Sequence, residues 1–171
     1  MKDSNKTPYL VIGGITLAVF IFIIFFAINE GKGSSNTQST LIYSANDSER
    51  PKIKFSSPSA DLGKMKVTDE KNAEFILENT GTKPLQLFKV STSCDCTFGQ
   101  ITIDGEKSPE FGMHSKNLWS GSIEPGKKAT LTVVYRPSIM PVKGEVSRQV
   151  YIQTNDPENK QVTFSINAFV E

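Results

Sequence analysis

Reactive side chains are scarce in this chain, which has two cysteines and one histidine. A single histidine excludes a blue-copper centre within one chain, because that centre needs two histidines beside a cysteine. The spacing Cys94-Asp95-Cys96 also differs from the Cys-x-x-Cys of a thioredoxin-like centre. A phosphate-binding loop and a nucleophile elbow are missing, and nothing marks a group that would orient His114 as a catalytic base. We therefore expect a protein that is not an enzyme.

The chain also lacks an excess of charge of either sign. Its net charge is +1, and charged residues make up 22% of it, which is ordinary for a soluble domain. Without a basic run or stripe, the sequence offers no surface for nucleic acid. Helical periodicity is missing from residue 51 onward, which leaves β structure as the expected form of the main domain.

The longest apolar stretch is the uncharged run over 9–28. Its 20 residues are enough for a helix that spans the roughly 30 Å hydrocarbon core of a membrane. The run is longer than the apolar region of a cleavable signal peptide, about 7–15 residues, and no cysteine lies directly after it to carry a lipid. We predict a cytoplasmic segment over 1–8 and one transmembrane helix over 9–28.

The flanking charges give the expected orientation. Lys2 and Lys6 precede the run, and only Lys32 lies shortly after it, so the positive-inside rule places the N-terminus in the cytoplasm. We therefore predict a single-pass membrane protein whose C-terminal domain is extracytoplasmic, in a periplasm or at the cell surface, where disulfides are tolerated. Residues 29–50 are rich in Ser, Asn, Thr and Gly, which predicts a flexible linker to a domain over 51–171.

The region 51–171 shows the alternation of apolar and polar residues that is typical of strands. The clearest case is 162–170, where an apolar residue occupies every even position. Six or seven short runs of this kind, separated by Pro, Gly and Asn turn signals, indicate a β-sandwich or a barrel. The stretch 98–122 breaks the rhythm, and we predict a long loop there that carries Met113, His114 and Trp119.

Several short motifs occur in an order and spacing typical of one family. The chain resembles the bacterial domain-of-unknown-function family marked by an Asn-Thr-Gly turn and a Ser-Cys-Gly-Cys-Thr motif. That family is related to the immunoglobulin-like domains of major sperm protein and of the ASPM/hydin type. The resemblance implies an exported, all-β, seven-stranded immunoglobulin-like sandwich and implies no reaction. The matching pieces are Asp61-Leu62-Gly63, Phe75-Ile76-Leu77-Glu78-Asn79-Thr80-Gly81, Pro84-Leu85, Ser93-Cys94-Asp95-Cys96-Thr97, Ile123-Glu124-Pro125-Gly126, Tyr135-Arg136-Pro137 and Thr154-Asn155-Asp156-Pro157.

Three states are compatible with the cysteine pair, which lies in a segment with a β pattern. A disulfide needs a local bend, because Cα atoms two residues apart on a flat strand are about 6.5–7 Å apart, and Asp95 replaces the family's Gly. A Cu(I) site would take Cys94, Cys96, Met113 and His114 as ligands, since soft sulfur ligands suit that ion. In the third state both thiols are reduced and only fill the core.

Two functions follow from these alternatives. The leading hypothesis is a membrane-anchored, extracytoplasmic immunoglobulin-like binding or accessory module that needs no cofactor. Its partner would be a membrane-embedded or extracytoplasmic protein, within a membrane protein complex. The alternative is a copper-handling or thiol-redox accessory protein that uses Cys94 and Cys96 with Met113 and His114. We also expect Trp119 to pack over an edge of the sandwich and cover the cysteine segment.

Overall fold

The structure is a computed structural model that describes residues 41–115 and 118–171, together with Phe22. The predicted cytoplasmic segment, the rest of the predicted transmembrane helix and the first part of the linker lie outside the described residues. Within the described residues, no helix is long and apolar enough to cross a membrane.

The described part of the chain holds ten strands and one short 3₁₀ helix, Pro137–Ile139. The strands are β1 Ile53–Phe55, β2 Ser59–Met65, β3 Lys71–Asn79, β4 Leu85–Thr92, β5 Thr97–Ile103, β6 Glu106–Lys107, β7 Ser120–Ile123, β8 Lys128–Tyr135, β9 Gly144–Thr154 and β10 Gln161–Val170.

These strands form two five-stranded sheets in the described region. The first sheet has the order β1-β3-β8-β5-β6, and every pair in it is antiparallel. The second sheet has the order β2-β10-β9-β4-β7, with β9 and β10 paired antiparallel from Gln161 opposite Gln153 to Val170 opposite Gly144. Only β2 and β10 are parallel neighbours among these strands, because the chain crosses to the second sheet between β1 and β2.

The core lies between the two sheets. In β10 the even-numbered residues are buried, as the alternation predicts. The Phe164 ring is completely buried and lies between residues of the first sheet, 5.2 Å from the Phe55 ring and 5.0 Å from the Phe75 ring. Each fully buried side chain of this size contributes about 1.5–3 kcal/mol through loss of apolar surface from water, so the paired faces hold the sheets together.

The predicted all-β, two-sheet architecture is confirmed, but the described strands number ten rather than seven. Part of the difference lies in 98–122, where the prediction of one long loop is wrong. That stretch holds most of β5, all of β6 and the start of β7. The sequence underestimates β5 because Gly99 and Gln100 interrupt its apolar alternation, although Ile101 is fully buried opposite Leu131 of β8.

The end of the predicted linker contacts the sandwich. The Leu41 amide donates to Gln86 Oε1 at 3.2 Å, and Arg50 forms an ion pair with Glu158 at 2.9 Å. Leu41 and Phe88 both line an open cleft of about 430 Å³ beside the β9–β10 turn. The domain boundary at residue 51 and the flexibility of the linker stay predictions.

Candidate functional site

The two cysteines lie in the connection that carries the chain from β4 of the second sheet to β5 of the first. Residues 93–96 form a turn, so the predicted β conformation of this segment is wrong. The Thr97 amide donates to the Cys94 carbonyl oxygen at 3.2 Å, and the Thr92 hydroxyl donates to the same oxygen at 2.9 Å. These bonds bend the backbone and bring the Cα atoms of Cys94 and Cys96 to 5.2 Å.

A disulfide joins Cys94 and Cys96. Of the three states compatible with the sequence, the structure therefore has the first, and the turn supplies the bend that a flat strand lacks. A Cα separation of 5.2 Å lies inside the usual disulfide range, even with Asp95 rather than Gly between the cysteines. Cys96 is completely buried and Cys94 is 7% exposed, so the bond lies just beneath the surface.

Two side chains that sequence reasoning missed contact the disulfide. Met140, in the connection between β8 and β9, places its Sδ 3.7 Å from Cys94 Sγ. Arg148 of β9 donates from Nε to Cys96 Sγ at 3.3 Å. Both come from sequence positions about fifty residues away, and no local pattern links them to the cysteines. The site thus combines three sulfur atoms and one guanidinium.

The loop that carries the predicted ligands Met113 and His114 returns to the cysteine turn. His114 Nε2 lies 3.8 Å from Asp95 Oδ2, and the His114 side chain is 77% exposed. Met113 is 45% exposed. Among the described residues no three His, Cys, Asp or Glu side chains are grouped as metal ligands. Since both cysteine sulfurs are bonded to each other, the predicted Cu(I) ligand set stays a prediction about the reduced protein.

Arg136 anchors the turn from its other side. Its amide donates to the Cys96 carbonyl oxygen at 2.8 Å. Its guanidinium pairs with Glu110 at 3.1 Å and Glu70 at 2.6 Å, and lies 4.6 Å from the centre of the Phe98 ring. The hydrogen bonds to Glu110 and then to Glu70 raise the pKa of Arg136. The turn is therefore fixed to the end of β8 and to a permanently charged residue.

An exposed apolar surface adjoins the disulfide. Ile139, Met140 and Val142, which we call the apolar tip, are 48%, 49% and 37% exposed. Ile139 ends the short 3₁₀ helix in the β8–β9 connection, and Met140 and Val142 follow it. The Met140–Cys94 contact joins the apolar tip to the cysteine turn. Neighbouring exposed apolar residues of this kind mark interaction surfaces more often than isolated ones do.

Trp119 packs at an edge of the sandwich, as expected, where it lies against Phe111 and against Gly121 of β7. Its ring centre is 5.4 Å from that of Phe111. A side chain at Gly121 of β7 would clash with its neighbours. Its Cβ would lie 2.7 Å from ring carbons of Trp119 and 2.6 Å from the Ile103 Cδ1 atom. Trp119 therefore seals the edge where β7 and β5 approach.

The Asn-Thr-Gly motif acts at the opposite end of β4. Asn79 is completely buried and makes four hydrogen bonds. Its Oδ1 accepts from the Lys52 amide at 3.3 Å and the Gly81 amide at 3.0 Å. Its Nδ2 donates to the carbonyl oxygens of Lys83 and Ile123, both at 2.8 Å. One side chain thus joins β1, the β3–β4 turn and β7.

Asn155 and Asp156 act at the same end. Asn155 Oδ1 accepts from the Gln86 amide at 2.8 Å, and Asp156 Oδ2 accepts from the Ile53 amide at 3.0 Å. Both residues are buried and bind backbone groups of other strands. These motif residues therefore stabilise the fold, which leaves the disulfide end as the candidate functional site.

A comparison of the sequence with models of protein families agrees with this immunoglobulin-like architecture. A family model described as "HYDIN/CFA65/VesB-like, Ig-like domain" matches residues 51–168. The match confirms the immunoglobulin-like class predicted from the sequence, but it does not support the Asn-Thr-Gly and cysteine motifs as marks of the family. No curated protein matches the chain.

Solved structures show the same fold at low sequence identity. A protein of unknown function from Porphyromonas gingivalis W83 is 18% identical with a TM-score of 0.54, over 78% of this chain and 51% of that one. A family 123 glycoside hydrolase from Clostridium perfringens is 12% identical with a TM-score of 0.50, over 70% and 27%. PapD-like domain 7 of human CEP192 is 13% identical with a TM-score of 0.49, over 78% and 94%. The chain spans about half the length of the Porphyromonas protein, and the likeness concerns the fold alone.

Proposed function

Because this chain belongs to the HYDIN/CFA65/VesB-like Ig-like domain family, we propose that it is a membrane-anchored, extracytoplasmic module that binds another protein. The module is an accessory subunit or partner of a membrane protein complex and catalyses no reaction. Immunoglobulin-like sandwiches present loops at their two ends, and loops held by a rigid scaffold are common binding surfaces.

The observation that carries this proposal is the disulfide beneath the exposed apolar tip. Disulfides persist in extracytoplasmic compartments and are rare in the cytosol, so the Cys94–Cys96 bond supports export of the domain. The side chains of Ile139, Met140 and Val142 keep apolar surface in water. A protein partner that covers them removes this surface from water at about 25 cal/mol per Å².

The uncharged run over 9–28 supports the anchor. It has the length of a membrane-spanning helix, and the charge that precedes it favours a cytoplasmic N-terminus. Digestion of intact cells or spheroplasts with an added protease tests this topology. We expect the domain to be cleaved without lysis; protection until the membrane is broken contradicts the extracytoplasmic placement.

A pull-down of the tagged full-length chain from membranes in mild detergent tests partner binding. The tip variant Ile139→Ser/Met140→Ser/Val142→Ser should lose a partner that the wild type retains in stoichiometric amount. The matched control is Ile76→Ser/Phe169→Ser, which removes apolar residues of similar exposure, 44% and 42%, outside the apolar tip. Recovery of no partner by the wild type, or equal recovery by the tip variant, contradicts the proposal.

A second function is favoured by the approach of His114 to Asp95. The only histidine of the chain lies beside the residue between the two cysteines, as a copper-handling or thiol-redox accessory protein would need. Under this proposal the reduced cysteines bind Cu(I), with Met113 and His114 as the ligands named from the sequence. Copper uptake by the reduced full-length chain tests it, with a Cys94→Ser/Cys96→Ser variant as control; equal uptake by both contradicts it.

A further inference from the structure

We propose that the reduced protein holds one Cu(I) ion in a three-sulfur site made by Cys94, Cys96 and Met140, with Arg148 balancing its charge. The proposal rests on the second function above and changes its ligand set. Met140 takes the place of Met113, and no imidazole is needed. Thiolate and thioether sulfur are the ligands that Cu(I) prefers.

The sulfur positions support this assignment. Sulfur ligands about 2.3 Å from a metal ion lie about 3.8–4.0 Å from one another in a tetrahedral or trigonal site. Met140 Sδ lies 3.7 Å from Cys94 Sγ, which is close to that separation before any metal is present. Only the bonded pair Cys94 and Cys96 must separate, and this happens when the disulfide is reduced.

The positive charge of Arg148 would offset the negative charge of such a copper site. Two thiolates, one neutral thioether and one Cu(I) ion carry a net charge of −1. The Arg148 guanidinium donates to Cys96 Sγ at 3.3 Å, and no carboxylate of the described residues forms an ion pair with it. The cation therefore remains available to offset the negative charge that Cu(I) binding would leave beside the buried Cys96. A buried charge without such a partner is costly.

Access to the site runs past Met140. Its side chain is 49% exposed, whereas Cys94 is 7% exposed and Cys96 is completely buried. The thioether is then the first sulfur that an incoming ion meets, and the two thiolates lie behind it. Methionine is flexible and polarisable, which suits a ligand that must move slightly as the ion passes inward.

Cu(I) can bind only after the Cys94–Cys96 disulfide has been reduced. A dithiol reductant, either a small molecule or a protein, supplies two electrons and two protons to the Cys94–Cys96 bond and itself becomes a disulfide. The two thiols then release two protons as they bind Cu(I). Oxidation and copper binding therefore exclude each other, because no thiolate exists while the disulfide is intact.

Because the disulfide closes a very short loop, opening it should cost the domain little stability. Cys94 and Cys96 are two positions apart. The chain-entropy estimate for so short a loop is about 1.6 kcal/mol, against about 3 kcal/mol for a 15-residue loop. Reduction therefore removes little of the constraint on the unfolded chain, and we expect the domain to stay folded when the bond opens.

Titration of the full-length protein in detergent tests the proposal. The protein is reduced with a phosphine, freed of reductant without oxygen, and titrated with Cu(I) against the chromogenic chelator bicinchoninate. We expect one equivalent to bind, and X-ray absorption to show three sulfur neighbours and no nitrogen. The oxidised protein should bind none.

Variants separate the ligands. Loss of a residue that only hydrogen-bonds to a metal ligand lowers metal affinity by about 10–100-fold. Met140 is proposed as a direct ligand, so Met140→Leu should lower Cu(I) affinity by at least about tenfold. Met113→Leu and His114→Gln should leave it unchanged. Wild-type affinity in Met140→Leu, or a nitrogen neighbour that is lost in His114→Gln, overturns the three-sulfur site but keeps the second function. Absence of uptake by the reduced wild type overturns both.

Discussion

Replacing Asn79 with Ala tests whether the Asn-Thr-Gly motif stabilises the fold. The change removes four hydrogen bonds from a completely buried side chain. Each such bond contributes about 1 kcal/mol net, and a carbonyl left unpaired in the core costs about 1–3 kcal/mol. Because the Ile123 carbonyl is in a buried bond, we expect a loss of about 4 kcal/mol. That is a large share of the roughly 5–15 kcal/mol that stabilises a typical domain.

Urea denaturation of the full-length protein in mild detergent measures this loss. The chain has one tryptophan, so Trp119 fluorescence reports the unfolding of the sandwich without a label. Thr80→Ala is the matched control, because the exposed Thr80 hydroxyl makes one bond of 3.3 Å to the Lys52 carbonyl oxygen. We expect that control to lose less than about 0.5 kcal/mol. A loss below about 1 kcal/mol in Asn79→Ala refutes this stabilising role of the Asn79 side chain.

The pH dependence of the stability of an Asn79→Asp variant gives a second test of the same hydrogen bonds. The new carboxyl keeps an acceptor for the Lys52 and Gly81 amides, but its second oxygen faces the carbonyl oxygens of Lys83 and Ile123. A proton on that oxygen restores one of the two lost bonds, so the folded state binds this proton more tightly than the unfolded state. The variant should then be most stable at low pH and lose stability as the pH rises through the folded-state pKa of the new carboxyl. Equal destabilisation at pH 4 and pH 8 contradicts this reading.

Three further changes test other parts of the structure. Gly81→Ala should destabilise the domain by about 2 kcal/mol in thermal melts, because its Cβ would overlap the backbone of residues 50–52. The control Gly112→Ala should be close to neutral, because its Cβ would make only an ordinary contact with the Phe98 ring. Tyr135→Phe should be neutral or stabilise the fold by about 1 kcal/mol in urea, since the buried Tyr135 hydroxyl has no hydrogen-bond partner among the described residues; a clear loss would show a partner there. Reduction of the Cys94–Cys96 bond should cost about 1.6 kcal/mol, and complete unfolding on reduction would contradict the local role of that bond.

The fold was readable from the sequence where alternation was regular. Strand β10 was recognisable because every second residue is apolar, and the turn after Asn79 because Gly and Asn favour turns. Strand β2, Ser59–Met65, was missed because its only large apolar residues, Leu62 and Met65, are three positions apart, which breaks the alternation. A bulge between Asp61 and Lys64 brings both to the core. Its pairing with β10 is a contact between the two ends of the domain, which local periodicity does not encode.

The candidate site was readable only in part. The cysteine pair is evident from the sequence, whereas the approach of the His114 loop to Asp95 was only one of the alternatives that the sequence left open. The bend at Asp95 is not evident, since no pattern in the sequence announces the hydrogen bonds of Thr92 and Thr97 to the Cys94 carbonyl oxygen, where the chain passes from β4 of one sheet to β5 of the other. Met140 is 46 positions from Cys94 and has no sequence signal as a neighbour.

Asn79 and Asp156 mark one end of the sandwich. Their side chains accept hydrogen bonds from the Lys52 and Ile53 amides, where the chain enters β1. From that same end β4 runs for 8 residues toward the disulfide, a distance of about 25 Å. The domain therefore has a base and a far pole. A partner that covers Cys94, or the apolar tip beside it, would therefore contact the end of the sandwich opposite Lys52 and Ile53.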